Sequence, residues 1–153
     1  MMSFDLLNQQ LSTGKINYYK AGSGPPVLYL HSENGFINSK VLENLSKKFE
    51  IFAPIIPGFE GTENIVNINS IEKITHLMSN FIEETIGVNK VDIIGHSIGG
   101  TIASKLLVDF PNIIDQIVLI SPYGFQDSSA IKNLKDFKSL FKYPEKILKL
   151  IVI

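Results

Sequence analysis

The sequence predicts a parallel, doubly wound α/β sheet, and three observations carry that prediction. Short apolar runs alternate along the chain with segments whose apolar residues recur at helical spacing. The runs 91–94 and 113–120 are rich in β-branched residues, as strands covered on both faces are. Residues 91–101, Val-Asp-Ile-Ile-Gly-His-Ser-Ile-Gly-Gly-Thr, read as a buried strand, a sharp turn carrying a serine, and the start of a helix.

Each element follows from its own residues. Residues 15–20 read as the first strand, and the glycines and prolines of 21–26 turn the chain. A short buried strand at 27–31 leads into a loop at 32–35. Val41, Leu42, Leu45 and Phe49 then fall on one helical face with lysines opposite. Residues 50–54 form the next strand, closed by the loop 57–61. Asn69-Ser70 caps a longer helix whose stripe runs through Ile71, Ile74, Leu77, Met78, Phe81, Ile82 and Ile86, and Gly87 ends it. After the strand 91–94, a helix buries Ile98, Ile102, Leu106, Leu107 and Phe110 and stops before Pro111. The strand 113–120 closes at Ser121-Pro122. Beyond it, residues 126–128 cap a helix with Ile131, Leu134, Phe137, Leu140 and Phe141 inward, which Tyr143-Pro144 breaks. Residues 145–153 read either as a second helix or as the start of a strand. In such a sheet a ligand site lies beyond the carboxyl ends of the strands, an edge that gathers Ser97, the loop after His31, and Ser121.

Composition narrows the possibilities. At 153 residues the chain is long enough for one domain with its own core. With 44% hydrophobic and 19% charged residues it has the make-up of a soluble globular protein. A formal net charge of -1 argues against a nucleic-acid or anionic-membrane surface. Cysteine is absent, which excludes disulfides, thiolate metal sites and cysteine nucleophiles and fits the cytoplasm. The first residues lack a basic segment followed by an apolar one, and no apolar run approaches the roughly 20 residues of a bilayer crossing, so neither a signal peptide nor a membrane span is expected.

The chemistry centres on Gly95-His96-Ser97-Ile98-Gly99. In a Gly-x-Ser-x-Gly elbow the serine sits in a strained strand-to-helix turn that lifts its hydroxyl clear of the sheet. Gly95 and Gly99 stand where a side chain would collide with the strand or the oncoming helix. The turn also ends at a helix N-terminus, where free N–H groups favour a developing anion.

Three motifs in order resemble the α/β-hydrolase fold superfamily of the serine-nucleophile type, from about Gly14 to Pro122. Leu30-His31-Ser32-Glu33-Asn34-Gly35 is similar to its His-Gly loop. Residues 53–61, Ala-Pro-Ile-Ile-Pro-Gly-Phe-Glu-Gly, are similar to its Pro-Gly-Phe-Gly loop, and residues 94–100 to its nucleophile elbow. Ser32 and Glu60 stand where the family usually has glycine. The resemblance implies a catalytic Ser97, an oxyanion hole made by the backbone N–H groups of Glu33 and Ile98, and loop glycines at Gly95, Gly99 and Gly35. It implies a small ester, acyl or C–C bond substrate and neither metal nor organic cofactor. A serine at the elbow argues against the aspartate-dependent dehalogenases and epoxide hydrolases. The implied organisation is a hydrolase core over 1–124, lacking its last strands, and the start of a helical cap over 125–153.

The family's chain order is serine, acid, histidine. Here the three histidines, His31, His76 and His96, all precede Ser97. His31 belongs to the oxyanion loop and reads as structural, His96 points under the elbow, and His76 lies on the polar side of its helix. Asp127 follows the strand after the elbow, a position some relatives use for the acid, although a loop-and-cap aspartate is its default reading. The expectation is a hydrolase core without its acid and histidine, inactive as this chain alone. The competing reading is a non-catalytic remnant or interaction module that associates with itself or another chain through the bare edge of the strand 113–120 and an apolar tail. A third possibility is a base donated in trans by another chain.

Overall fold

The computed structural model describes residues 3–62, 68, 70–123 and 146–151. Its strands are β1 (Asp5–Leu11), β2 (Gly14–Ala21), β3 (Pro26–Leu30), β4 (Glu50–Pro54), β5 (Val91–His96), β6 (Ile114–Ile120) and β7 (Ile147–Ile151). They form one sheet in the order β1-β2-β4-β3-β5-β6-β7. β2 runs antiparallel to β1 and β4, and every pairing from β4 through β3, β5 and β6 to β7 is parallel. This is a doubly wound, mostly parallel sheet, as the alternating pattern predicts.

The helices are α1 (Lys40–Leu45), α2 (Ile71–Phe81), continued by a π-helical turn over Ile82–Ile86, and α3 (Ile98–Asp109). Each start has a local cause. The Ser39 hydroxyl accepts the Leu42 N–H and the Ser70 hydroxyl accepts the Lys73 N–H, each satisfying one of the donors a helix start leaves unpaired. Gly87, at φ 71, closes the π-helical turn in the left-handed conformation that glycine adopts most readily. α2 and α3 cover one face of the sheet. Their apolar stripes meet the buried side of β3 and β5 in a core that includes Leu28, Leu30, Leu77, Phe81, Ile93 and Leu106. Burying each such side chain contributes about 2 kcal/mol. Along β5, Val91, Ile93 and Gly95 are buried, whereas Asp92, Ile94 and His96 are half-buried on the other face.

Four findings differ from the sequence expectation. β1 was not anticipated; it pairs along its whole length with β2 across a tight Ser12-Thr13 turn. α1 stops at Leu45, so Phe49 lies past its end, its N–H bonded to the Leu45 carbonyl at 2.9 Å. Ile113 belongs to a short 3-10 turn rather than to β6. The strand 113–120 is also not the bare edge expected of it: β7 pairs with β6 in parallel, from Ile117↔Ile147 to Ile120↔Ile151. Of the two readings for 145–153 the strand is therefore the one found, and the sheet extends one strand further than expected. Lys146 anchors its start by donating to the Ile114 carbonyl at 2.8 Å. The helix expected over 131–141, and Asp127, lie outside the described residues. No described helix is long and apolar enough to cross a membrane.

Candidate active site

The parallel strands end on one edge, and Ser97 stands there between β5 and α3. Its backbone is at φ 52, ψ -117, a conformation that L-residues other than glycine rarely adopt. Holding it there costs about 1–3 kcal/mol and requires that the surroundings fix it. They do so at both backbone groups. The Ser97 N–H donates to the Ile120 carbonyl at the end of β6 at 3.0 Å, and its carbonyl accepts the N–H groups of Gly100 (2.9 Å), Thr101 (3.2 Å) and Tyr123 (3.0 Å).

The two glycines make the turn possible. A Cβ at Gly99 would lie 2.1 Å from the Leu30 carbonyl oxygen, and one at Gly95 would lie 2.6 Å from the Gly99 oxygen and 2.7 Å from the Gly100 Cα. The helix start therefore rests directly on the end of β3, which brings the loop after β3 against the elbow. Ile98 is the first residue of α3, so its N–H is among the amides that the helix's own ladder leaves unpaired.

That loop is a tight turn, with the Gly35 N–H donating to the Ser32 carbonyl at 3.0 Å and Gly35 at φ 80. Ser32, in place of glycine, fits without strain: its φ is not positive, and its hydroxyl accepts the Asn34 N–H at 3.3 Å. Glu33 sits exposed at the corner. Sequence reasoning assigned it a role through its amide alone, but its side chain is what meets Ser97. The Glu33 carboxyl is held below its ordinary pKa of 4.5, first by its hydrogen-bonding interaction with the Ser97 side chain, then by its own backbone N–H and by the nearby charge of His96. The carboxylate thus gathers negative charge beside Ser97 and beside an amide expected to face an oxyanion. Its lowered pKa makes it a poor acceptor for a hydroxyl proton.

Two of the three imidazoles have partners away from Ser97, and the third, His96, lies near the Glu33 carboxyl. His31 is fully buried; its Nε2 accepts the Ile56 N–H at 3.0 Å, so Nδ1 carries the proton and donates to the Ser32 carbonyl at 2.7 Å. The ring ties the oxyanion loop to the loop after β4 and also packs edge-on against Phe59. His76 is exposed, with its ring edge-on to Phe110. His96 is half-buried and lines a cleft of about 450 Å³ on the α1 side of the sheet, together with Ile94, Leu42 and Ile120. Ser32, Asn34 and Gly35 of the oxyanion loop line it too. Among the described residues, no group of three or more His, Asp or Glu side chains is placed to hold a metal.

Burial pushes the His31 pKa below 6.5, outweighing the Ser32 hydrogen bond and the Glu60 charge that act to raise it. The unfolded chain then binds more protons than the folded one below that value, so stability rises with pH through this window. The contribution is present in full above about pH 6.5 and is lost as the pH falls from there toward the lower folded value. Urea midpoints measured from about pH 5 to pH 8 should show this acid limb, and His31→Phe should flatten it.

Comparison with known proteins places this geometry in context. A sequence profile described as alpha/beta hydrolase fold matches residues 25–152. The dihydrolipoyllysine-residue acetyltransferase component of the acetoin cleaving system from Cupriavidus necator is 27% identical over 117 residues, covering 74% of this chain and 31% of that protein. Monoacylglycerol lipase abhd6-B from Xenopus laevis is 32% identical over 131 residues, covering 80% and 38%. The crystal structure of E-2-(acetamidomethylene)succinate hydrolase superposes with a TM-score of 0.74 at 18% identity, over 86% of this chain and 50% of that one. The chain thus spans 31% to 50% of the length of these proteins.

Proposed function

The chain belongs to the alpha/beta-hydrolase fold family, and we propose that Ser97 is the nucleophile of a serine-hydrolase site for a small ester, acyl or C–C bond substrate. The observation that carries this reading is the Ser97 backbone, held at φ 52 between a strand end and a helix start. A residue is kept in so strained a conformation where the surrounding structure over-determines it, and such positions cluster at active sites. The hydroxyl oxygen would attack the carbonyl carbon, and the resulting oxyanion would accept from the Ile98 N–H and from the Glu33 N–H once that amide leaves its own carboxylate. The hydroxyl proton needs an acceptor. None of the three histidines follows Ser97 in the sequence, and the two whose ring contacts are described face other partners. In this reading the 153 residues hold the nucleophile and the oxyanion donors without the base that would activate them. The similarity to a lipase supports the reaction class.

Prolonged incubation with a fluorophosphonate tests the site. The expected result is slow addition of one phosphonyl group, located by peptide mass spectrometry on Ser97 and lost in Ser97→Ala. No adduct on Ser97, or the same adduct in the variant, would remove Ser97 as nucleophile. Addition at the rates of activated serine enzymes would show that a base reaches it.

The non-catalytic reading retains one observation: among the described residues no strand pairs with the outer side of β7. A stable dimer or heteromer combined with an unreactive Ser97 would favour it.

A further inference from the structure

The loop after β4 holds a second strained residue. It folds as two successive tight turns, with the Phe59 N–H bonded to the Ile56 carbonyl at 3.1 Å and the Thr62 N–H to the Phe59 carbonyl at 3.0 Å. Glu60 and Gly61 are the central residues of the second turn, at φ 52 and φ 68. A turn with both central φ values positive favours glycine, asparagine or aspartate, and a longer side chain meets steric opposition there. Glu60 is nevertheless found at the first of these positions.

Its side chain suggests why. One carboxylate oxygen of Glu60 accepts the backbone N–H of Phe36, the residue that follows the oxyanion turn. The other accepts the Tyr19 hydroxyl at 3.2 Å. The carboxylate lies over Gly35, where an added Cβ would come within 2.7 Å of it. The Phe36 ring stacks on Tyr19 at 4.3 Å and 19°, and is flanked by Phe4 and Tyr29. The far end of the Ser32–Gly35 turn is therefore fastened to β2 and to the loop after β4, and the corner it supports carries the Glu33 amide. The Tyr19 phenol is pushed up by burial first and then by the charge and hydrogen bond of Glu60, as this contact requires.

We propose that Glu60 is a positioning residue that clamps the oxyanion loop through the Phe36 N–H and the Tyr19 hydroxyl, holding the Glu33 amide at the distance Ser97 needs. The proposal rests on the reading of Ser97 as nucleophile, because it assigns Glu60 to the same reaction. It separates the hydrogen bond from the backbone: Glu60→Gly relieves the left-handed strain and removes the clamp, whereas Glu60→Gln keeps an oxygen for the Phe36 N–H and a group to meet Tyr19.

The test uses the full ¹⁵N-labelled chain and two readouts, the rate of Ser97 phosphonylation by a fluorophosphonate and the hydrogen exchange of the Phe36 amide. In Glu60→Gly the rate should fall about tenfold, a fraction of what deleting an oxyanion donor removes. Phe36 exchange should accelerate by a similar factor, while the thermal midpoint stays at or above that of the unmodified chain. Glu60→Gln should keep both the rate and the protection within about twofold. Unchanged rate and exchange in Glu60→Gly would overturn the proposal, as would a Glu60→Gln variant that behaves like the glycine. If the unmodified chain takes no label on Ser97, the nucleophile reading fails by itself. The clamp is then decided by exchange alone: protection of Phe36 in the chain and in Glu60→Gln but not in Glu60→Gly supports it, and any other pattern refutes it.

Discussion

Gly99→Ala is expected to lower the free energy of unfolding by about 3 kcal/mol, the upper end of the range for overpacked sites. The size follows from what the new methyl group meets. Its three nearest neighbours are the Leu30 oxygen at 2.1 Å, the Leu30 carbonyl carbon at 2.5 Å and the His31 oxygen at 2.6 Å, all backbone atoms at the end of β3. No side-chain rotation relieves that contact, so α3 must lift away from β3. The lift loosens the elbow and separates Ser97 from the oxyanion loop. Gly61→Ala supplies the comparison. Gly61 is also at positive φ, 68, but a Cβ there finds nothing within 4 Å, so only backbone strain of about 1–2 kcal/mol applies. With m-values near 1–3 kcal/mol/M, urea denaturation should separate the two substitutions by roughly a molar unit in midpoint. Equal midpoints would mean that α3 does not rest on β3 as described.

The contrast between those glycines bears on how much of the fold was legible beforehand. The elbow was legible because its determinants are local: a β-branched strand, two glycines and an amphipathic stripe lie within twenty residues, 91–110. The caps at Ser70 and Gly87 were readable for the same reason. β1 was not, because Asp5–Leu11 has neither sustained alternation nor β-branched residues, and Leu6 and Leu7 remain 58% and 39% exposed. It is a strand because β2 offers it a ladder, which is a property of the pair. β7 was ambiguous because a short apolar run such as Ile147–Ile151 fits a buried helix as well as a strand. At the site, the sequence pointed to amides and glycines but left the carboxylates of Glu33 and Glu60 without partners. Their contacts to Ser97, Phe36 and Tyr19 join loops that only the folded sheet brings together. The partner of His31, the Ile56 amide, lies 25 residues away for the same reason.

Turnover of a short-chain ester such as p-nitrophenyl acetate is expected to fall on the order of a millionfold below that of a complete triad, leaving roughly 10³–10⁴ over water from binding and the oxyanion hole. A serine hydroxyl near its free pKa is a poor nucleophile until an adjacent base takes its proton. Among the described residues, Glu33 is an ionisable group beside Ser97, and its carboxyl is held below its ordinary range. Its basicity is therefore reduced at neutral pH, and its negative charge opposes the charge that develops on the carbonyl oxygen. Because triad members act as a unit, removing the serine from a site without its base, as proposed here, changes little more. Ser97→Ala should accordingly turn the ester over within a few-fold of the unmodified chain, even though the same substitution abolishes phosphonylation. These two results separate having the nucleophile in place from having it activated. Turnover at the level of complete enzymes that vanishes in Ser97→Ala would show that a proton acceptor reaches Ser97 from residues outside those described. A search of 124–145 for the acid or base responsible, beginning with Asp127, would then replace the present assignment.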